Sequence, residues 1–102
     1  MSGYHGRDAM RAVAAALAAD AAAHGLALTV VDASIRPWAS ATFAGARHHL
    51  RVTTDGCAMR RDAWLADIGE RDFDLAHHIV AEVTATPAGD VGANVELLTV
   101  EE

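Results

Sequence analysis

A chain of 102 residues has room for one domain and one modest core. With 52% hydrophobic and 22% charged residues it is not a disordered polymer, and its apolar runs are alanine runs broken by Asp20 and His24, which excludes a helical membrane span. The formal charge of −6 comes from 14 acidic residues against 8 basic ones, all arginine, and argues against a nucleic-acid partner.

No basic segment followed by an apolar one opens the chain, so no signal peptide is expected. Cys57 is the single cysteine, which excludes an intrachain disulfide and suits a reducing, cytoplasmic setting. The excess of alanine without lysine or glutamine suggests a bacterial source. Protonation of all 6 histidines would cancel the charge of −6, so solubility should be poorest near the sequence pI of 5.4.

Residues 4–24 read as a helix. Met10, Val13, Ala14, Leu17 and Ala21 recur at spacings of three and four and make one apolar stripe. Asp8 suits the positive end of the helix dipole, and His24 with Gly25 marks the stop. Residues 26–36 are rich in β-branched side chains and read as a first strand, which Pro37 and Trp38 should break. Residues 39–54 read as a second strand ended by Asp55 and Gly56. A second helix is expected over 57–69, with Trp64, Leu65 and Ile68 inward, Arg60, Arg61, Asp62 and Asp67 on the polar side, and Gly69 as its cap. Residues 73–85 and 91–100 read as the third and fourth strands, joined by a turn at 87–90.

A shift of 48 residues lays 27–54 on 75–102 without a gap. It matches Val31 with Ile79, Ala33 with Ala81, Leu50 with Leu98 and Val52 with Val100. The chain therefore reads as one α+β domain, 1–102, made of two helix–hairpin repeats of about 4–54 and 55–102. A helix with one hairpin cannot cover its own apolar face, but two such units joined edge to edge can. The expected result is a two-layer sandwich: a four-stranded antiparallel sheet with both helices on one face, in α-β-β-α-β-β order. This order resembles a ferredoxin-like sandwich whose first strand has moved to the end of the chain. The resemblance covers the whole chain, implies central second and fourth strands, and implies no activity.

Such a sandwich leaves one sheet face bare, and here that face is not convincingly polar. In the second strand Ala41 and Phe43 share one parity while Leu50 and Val52 share the other. In the fourth, Val95 and Leu97 oppose Leu98 and Val100. A bulge near Gly45 would resolve the first conflict, and a second copy of the chain would cover the apolar groups otherwise. Trp38 and Phe43 are the expected interface residues of a homodimer.

Four of the 6 histidines fall in adjacent pairs, His48-His49 and His77-His78, inside strands, where neighbours point to opposite faces. Such a pair cannot offer both rings to one ion, so no metal and no cofactor are expected. Parity assigns His77 to the helix side and His78 to the open side. The open face then gathers Arg47, His49, Arg51, His78, Glu82 and Glu96. Arginine with histidine can hold a small anionic ligand, and histidine beside glutamate can act as a base. Ordinary cross-strand ion pairing is the plainer reading of the same residues. Cys57, at a helix start, reads as a small buried residue more than as a nucleophile.

The expected function is a small homodimeric binding or structural module. The alternative is a small enzyme with a His/Arg pocket at the subunit interface or open sheet face. Neither nucleic acid nor membrane is an expected partner.

Overall fold

The computed structural model describes residues 6–75 and 77–101. Their order is α1 (Gly6–Ala23), β1 (Ala27–Ala39), β2 (Ala44–Asp55), α2 (Ala58–Ile68), β3 (Asp74–Leu75), β4 (His78–Ala88) and β5 (Gly92–Glu101). The first residues of the expected first helix lie outside the described ones. The strands pair antiparallel in the order β1-β2-β5-β4-β3, so the second and fourth of the long strands are central. The two-residue β3 pairs only with the start of β4.

Alternation along the central strands sets the core. β2 buries Ala46, His48, Leu50, Val52 and Thr54 while Arg47, His49 and Arg51 are exposed, and β5 buries Ala93, Val95, Leu97 and Thr99. Of these, Leu50, Val52, Ala93, Val95 and Leu97 share one cluster with Val13, Leu17 and Ala21 of α1 and with Trp64, Leu65 and Ile68 of α2. The inward residues expected of α2 are therefore buried, and of the expected α1 stripe Val13, Leu17 and Ala21 are buried while Met10 and Ala14 are half-buried. α1 packs on β1, β2 and β3, and α2 on β4.

The stop of α1 is a Schellman turn. Gly25 takes φ of 77°, Leu26 N–H donates to the Ala21 carbonyl at 2.9 Å, and Gly25 N–H donates to that of Ala22 at 3.0 Å. α2 ends differently, because Gly69 has φ of −66° and stays right-handed. Arg61 departs from its expected polar position: it is 5% exposed, and its Nη1 donates to the carbonyls of Gly89 at 2.6 Å and Gly92 at 3.1 Å. The guanidinium thereby ties α2 to the two ends of the β4–β5 turn, and its own donors are satisfied inside. Cys57, expected buried, is exposed at the N-cap of α2.

Several strand boundaries differ from expectation; β4, for one, runs through Pro87 to Ala88, into the expected turn at 87–90, since that end of it has no neighbour beyond. β1 runs through Pro37 and Trp38 to Ala39, since an edge strand has no second neighbour that needs the missing proline N–H. The turn follows at residues 40–43, where the Ser40 hydroxyl accepts from Phe43 N–H at 3.0 Å. Ala41 and Phe43 thus belong to a turn, and the parity conflict of the second strand disappears. No bulge forms near Gly45; the register shifts instead fall in the outer strands, between Val30 and Asp32 and between Val80 and Glu82. The third strand is divided at His77, whose φ of 66° reverses the chain between β3 and β4. That turn also inverts the expected parity, so His78 is buried and His77 exposed.

Candidate functional site

The side of the sheet away from the helices presents four transverse rows, set by the ladder register. In the order β1, β2, β5, β4, the first row is Asp32, Arg51, Asn94 and Thr86. The second is Ser34, His49, Glu96 and Thr84, and the third is Arg36, Arg47, Leu98 and Glu82. The fourth is Trp38, Gly45, Val100 and Ile79. One half of the face is therefore mainly cationic, with Arg36, Arg47 and Arg51 against the single carboxylate of Asp32, the other half carries the carboxylates Glu96 and Glu82, and one end is apolar.

The cationic half is built around an unusual ladder position. Arg36 stands directly across from Arg47, an arrangement of like charges that costs stability in an ordinary sheet. Among the described residues neither guanidinium has an ion pair or hydrogen bond. A depression of about 380 Å³ opens beside them, lined by Ser34, Ile35, Arg36, Arg47, His48, His49 and Glu96. A smaller one of about 90 Å³ continues along Asp32, Ser34, His49, Arg51 and Asn94. His49 and Ser34 border both, and Glu96 is the direct neighbour of His49 on β5.

Of the residues expected to share a site, Arg47, His49 and Arg51 alternate along β2 and do share the open face. Glu82 is on the same face but two strands from Arg47, roughly 10 Å away. His78 lies on the helix side and is no part of this surface. Ser34 and Arg36 complete the cationic half and were not expected there. Counted from Leu28 and Val30, which pack on the core, they would face the helices; the register shift at Val31 turns them, with Asp32, to the open side.

The apolar end holds the expected interface residues. The Trp38 ring lies against Gly45, so closely that a Cβ on Gly45 would stand 2.9 Å from Trp38 Cζ2. The indole N–H is buried and finds no partner. Ile79 is 53% exposed, Leu98 and Val100 are half-buried, and Phe43 projects from the adjoining turn with 57% of its surface exposed.

On the helix side, His48 is fully buried. Its Nε2 lies 2.9 Å from Thr99 Oγ1, and that hydroxyl donates in turn to the Ala46 carbonyl at 3.4 Å. The hydroxyl therefore accepts from Nε2–H, which leaves Nδ1 as a bare, unpartnered lone pair. Burial lowers the His48 pKa from its ordinary 6.5, and the neighbouring His78 lowers it further. A folded-state pKa below the unfolded one means that the unfolded chain binds the proton more readily. Stability from this group is present above pH 6.5 and is lost as the pH falls through that value. Thermal melts between pH 7.5 and 5.5 should therefore show a falling midpoint, with a slope approaching about 1.4 kcal/mol per pH unit from one proton. The slope should shrink in His48→Gln; an unchanged slope would assign it to the other histidines.

Among the described residues no group of three or more His, Cys, Asp or Glu is placed to hold a metal ion. No described helix is long and apolar enough to cross a membrane. Comparison with known proteins finds no matching family model, no matching curated protein and no matching solved structure.

Proposed function

We propose that the chain is a homodimeric binding module whose working surface is the open face of its sheet. The observation that carries this reading is the row of Trp38, Val100 and Ile79, with Leu98 beside it, left uncovered on a face that is otherwise charged. Apolar side chains on a sheet face draw a partner to exclude water from them. Sedimentation at micromolar concentration should find a species of twice the 10.7 kDa chain mass. Leu98→Asp should convert it to monomer with its circular dichroism intact, because the new carboxylate would be trapped in a drying interface. A wild-type chain that sediments as a monomer at about 100 μM, a concentration that reaches even weak transient dimers, sinks the proposal.

A second reading rests on a separate observation, the unpaired Arg36 and Arg47 beside the depression that Ser34 and His49 border. Those groups suit a carboxylate or phosphate, with His49 placed to act as a base in a small enzyme. The same sedimentation experiment in millimolar phosphate tests it. Phosphate held by the two arginines should shift the association constant, and indifference to phosphate removes this reading while leaving the first.

We also infer that the two helix–hairpin halves are a repeat in a permuted ferredoxin-like arrangement. The matching register shifts of β1 and β4 support this, and they make Val31 correspond to Ala81 instead of Ile79. A cytoplasmic location agrees with an exposed, unpaired Cys57.

A further inference from the structure

We propose that two copies meet open face to open face about a twofold axis that runs parallel to the strands, between β2 and β5. This arrangement rests on the self-association proposed above and adds its geometry. Two identical sheets packed face to face by a closed twofold can place the axis along their strands or across them. The two choices bring different side chains together.

An axis along the strands keeps each row at its own level and exchanges its ends. β1 of one copy then lies over β4 of the other, and β2 over β5. The third row sets Arg36 against the partner's Glu82, and the second sets His49 against the partner's Glu96 and Ser34 against the partner's Thr84. The fourth row sets Trp38 against the partner's Ile79, apolar on apolar. An axis across the strands instead reverses the order of the rows. It lays Arg47 over the partner's His49 and Asp32 over the partner's Trp38, which places cation against imidazole and carboxylate against indole. Only the first choice is complementary in both charge and polarity.

Separation within the chain strengthens the choice. Arg36 on β1 and Glu82 on β4 are three strand spacings apart, roughly 14 Å, so they cannot pair in one copy. A second copy supplies each with its counterion, and it also offsets the cost of setting Arg36 opposite Arg47. The area is adequate. Four strands of about 10 residues span roughly 19 by 33 Å, about 630 Å² in projection, inside the roughly 600–1,000 Å² that a partner contributes to a standard interface.

Charge reversal tests the axis with the full chain. Arg36→Glu and Glu82→Arg should each weaken self-association by about tenfold or more, since the twofold repeats every like-charge contact. A 1:1 mixture of the two variants should form a heterodimer at close to wild-type affinity, because both contacts are then opposite in sign. A mixture that associates no better than its components overturns the axis, as do single variants that associate like wild type. A second measurement does not depend on reversed charges. With Cys57→Ser throughout, a short bis-maleimide should join a Ser34→Cys chain to a Thr84→Cys chain in preference to joining either to itself. Preferential joining of Ser34→Cys to itself would place β1 over β1 and overturn the proposal. A monomeric wild-type chain, by contrast, removes the underlying self-association before the axis is at issue.

Discussion

Trp64→Ala should cost about 4 kcal/mol or more in urea denaturation. Trp64 is the largest of the fully buried side chains and joins α2 to the common core. Its indole Nε1–H also donates to Asp20 Oδ2 at 2.8 Å, tying α2 to the last turn of α1. The same carboxylate lies 3.5 Å from Arg71 Nε, and Arg71 Nη2 lies 2.8 Å from His24 Nε2. Truncation therefore opens a cavity and takes a donor from a carboxylate that is largely shielded from water. Domains of this size carry roughly 5–15 kcal/mol in total, so the variant should sit near the edge of folding. Trp64→Phe separates the two contributions. It keeps most of the ring volume and loses the hydrogen bond, and should cost about 1–2 kcal/mol. Equal losses in the two variants would mean that the bond to Asp20, and not the packing, carries the effect.

Gly45→Ala should destabilise the fold by about 3 kcal/mol, the upper end of what an added methyl costs in a packed site. Gly45 sits between Trp38 on one strand and Val100 on the other. A Cβ there would lie 1.9 Å from the Thr99 carbonyl oxygen and 2.9 Å from the Trp38 ring. The first contact is with backbone of the central ladder, which can yield only if β2 and β5 separate. Since Thr99 also holds His48, the disturbance should reach the helix side. Thermal unfolding measures the loss, and a stability within about 0.5 kcal/mol of wild type, the ordinary range of a surface substitution, would refute so close an approach.

Both helices and the succession of long strands along the chain are readable from the residues because long apolar periodicities fix them with many side chains at once, whereas the order of strands in the sheet came only from the resemblance. Val13, Leu17 and Ala21 and the trio of Trp64, Leu65 and Ile68 are buried where the pattern places them. Single-residue events are another matter. His77 takes a left-handed conformation that its residue type does not announce, and that one turn moves His78 from the open face to the core. The register shift at Val31 is equally unannounced, and it turns Ser34 and Arg36, the first-strand half of the candidate site, away from the side that Leu28 and Val30 face. Arg61 shows the limit of composition. Its charge predicts solvent, whereas the carbonyls of Gly89 and Gly92, far along the chain, receive it inside. The cluster of Arg47, His49 and Arg51 was legible for the opposite reason, since strict alternation along a regular central strand leaves them no other side.

The outer long strands share a feature with a consequence for how the molecule assembles. Each breaks its ladder once, at Val31 in β1 and at Ala81 in β4, and each carries a proline farther on, Pro37 and Pro87. A strand arriving from another molecule would meet a kinked template lacking a donor on either flank. Lateral growth of the sheet, the route by which open-edged proteins become fibrils, is thus arrested on both sides. Stacking on the bare face is then the direction left to the sheet, and a face satisfied by one twofold mate has nothing further to offer. For the proposed twofold pair the expected outcome is finite size: raising the concentration should saturate association at pairs rather than lengthen it.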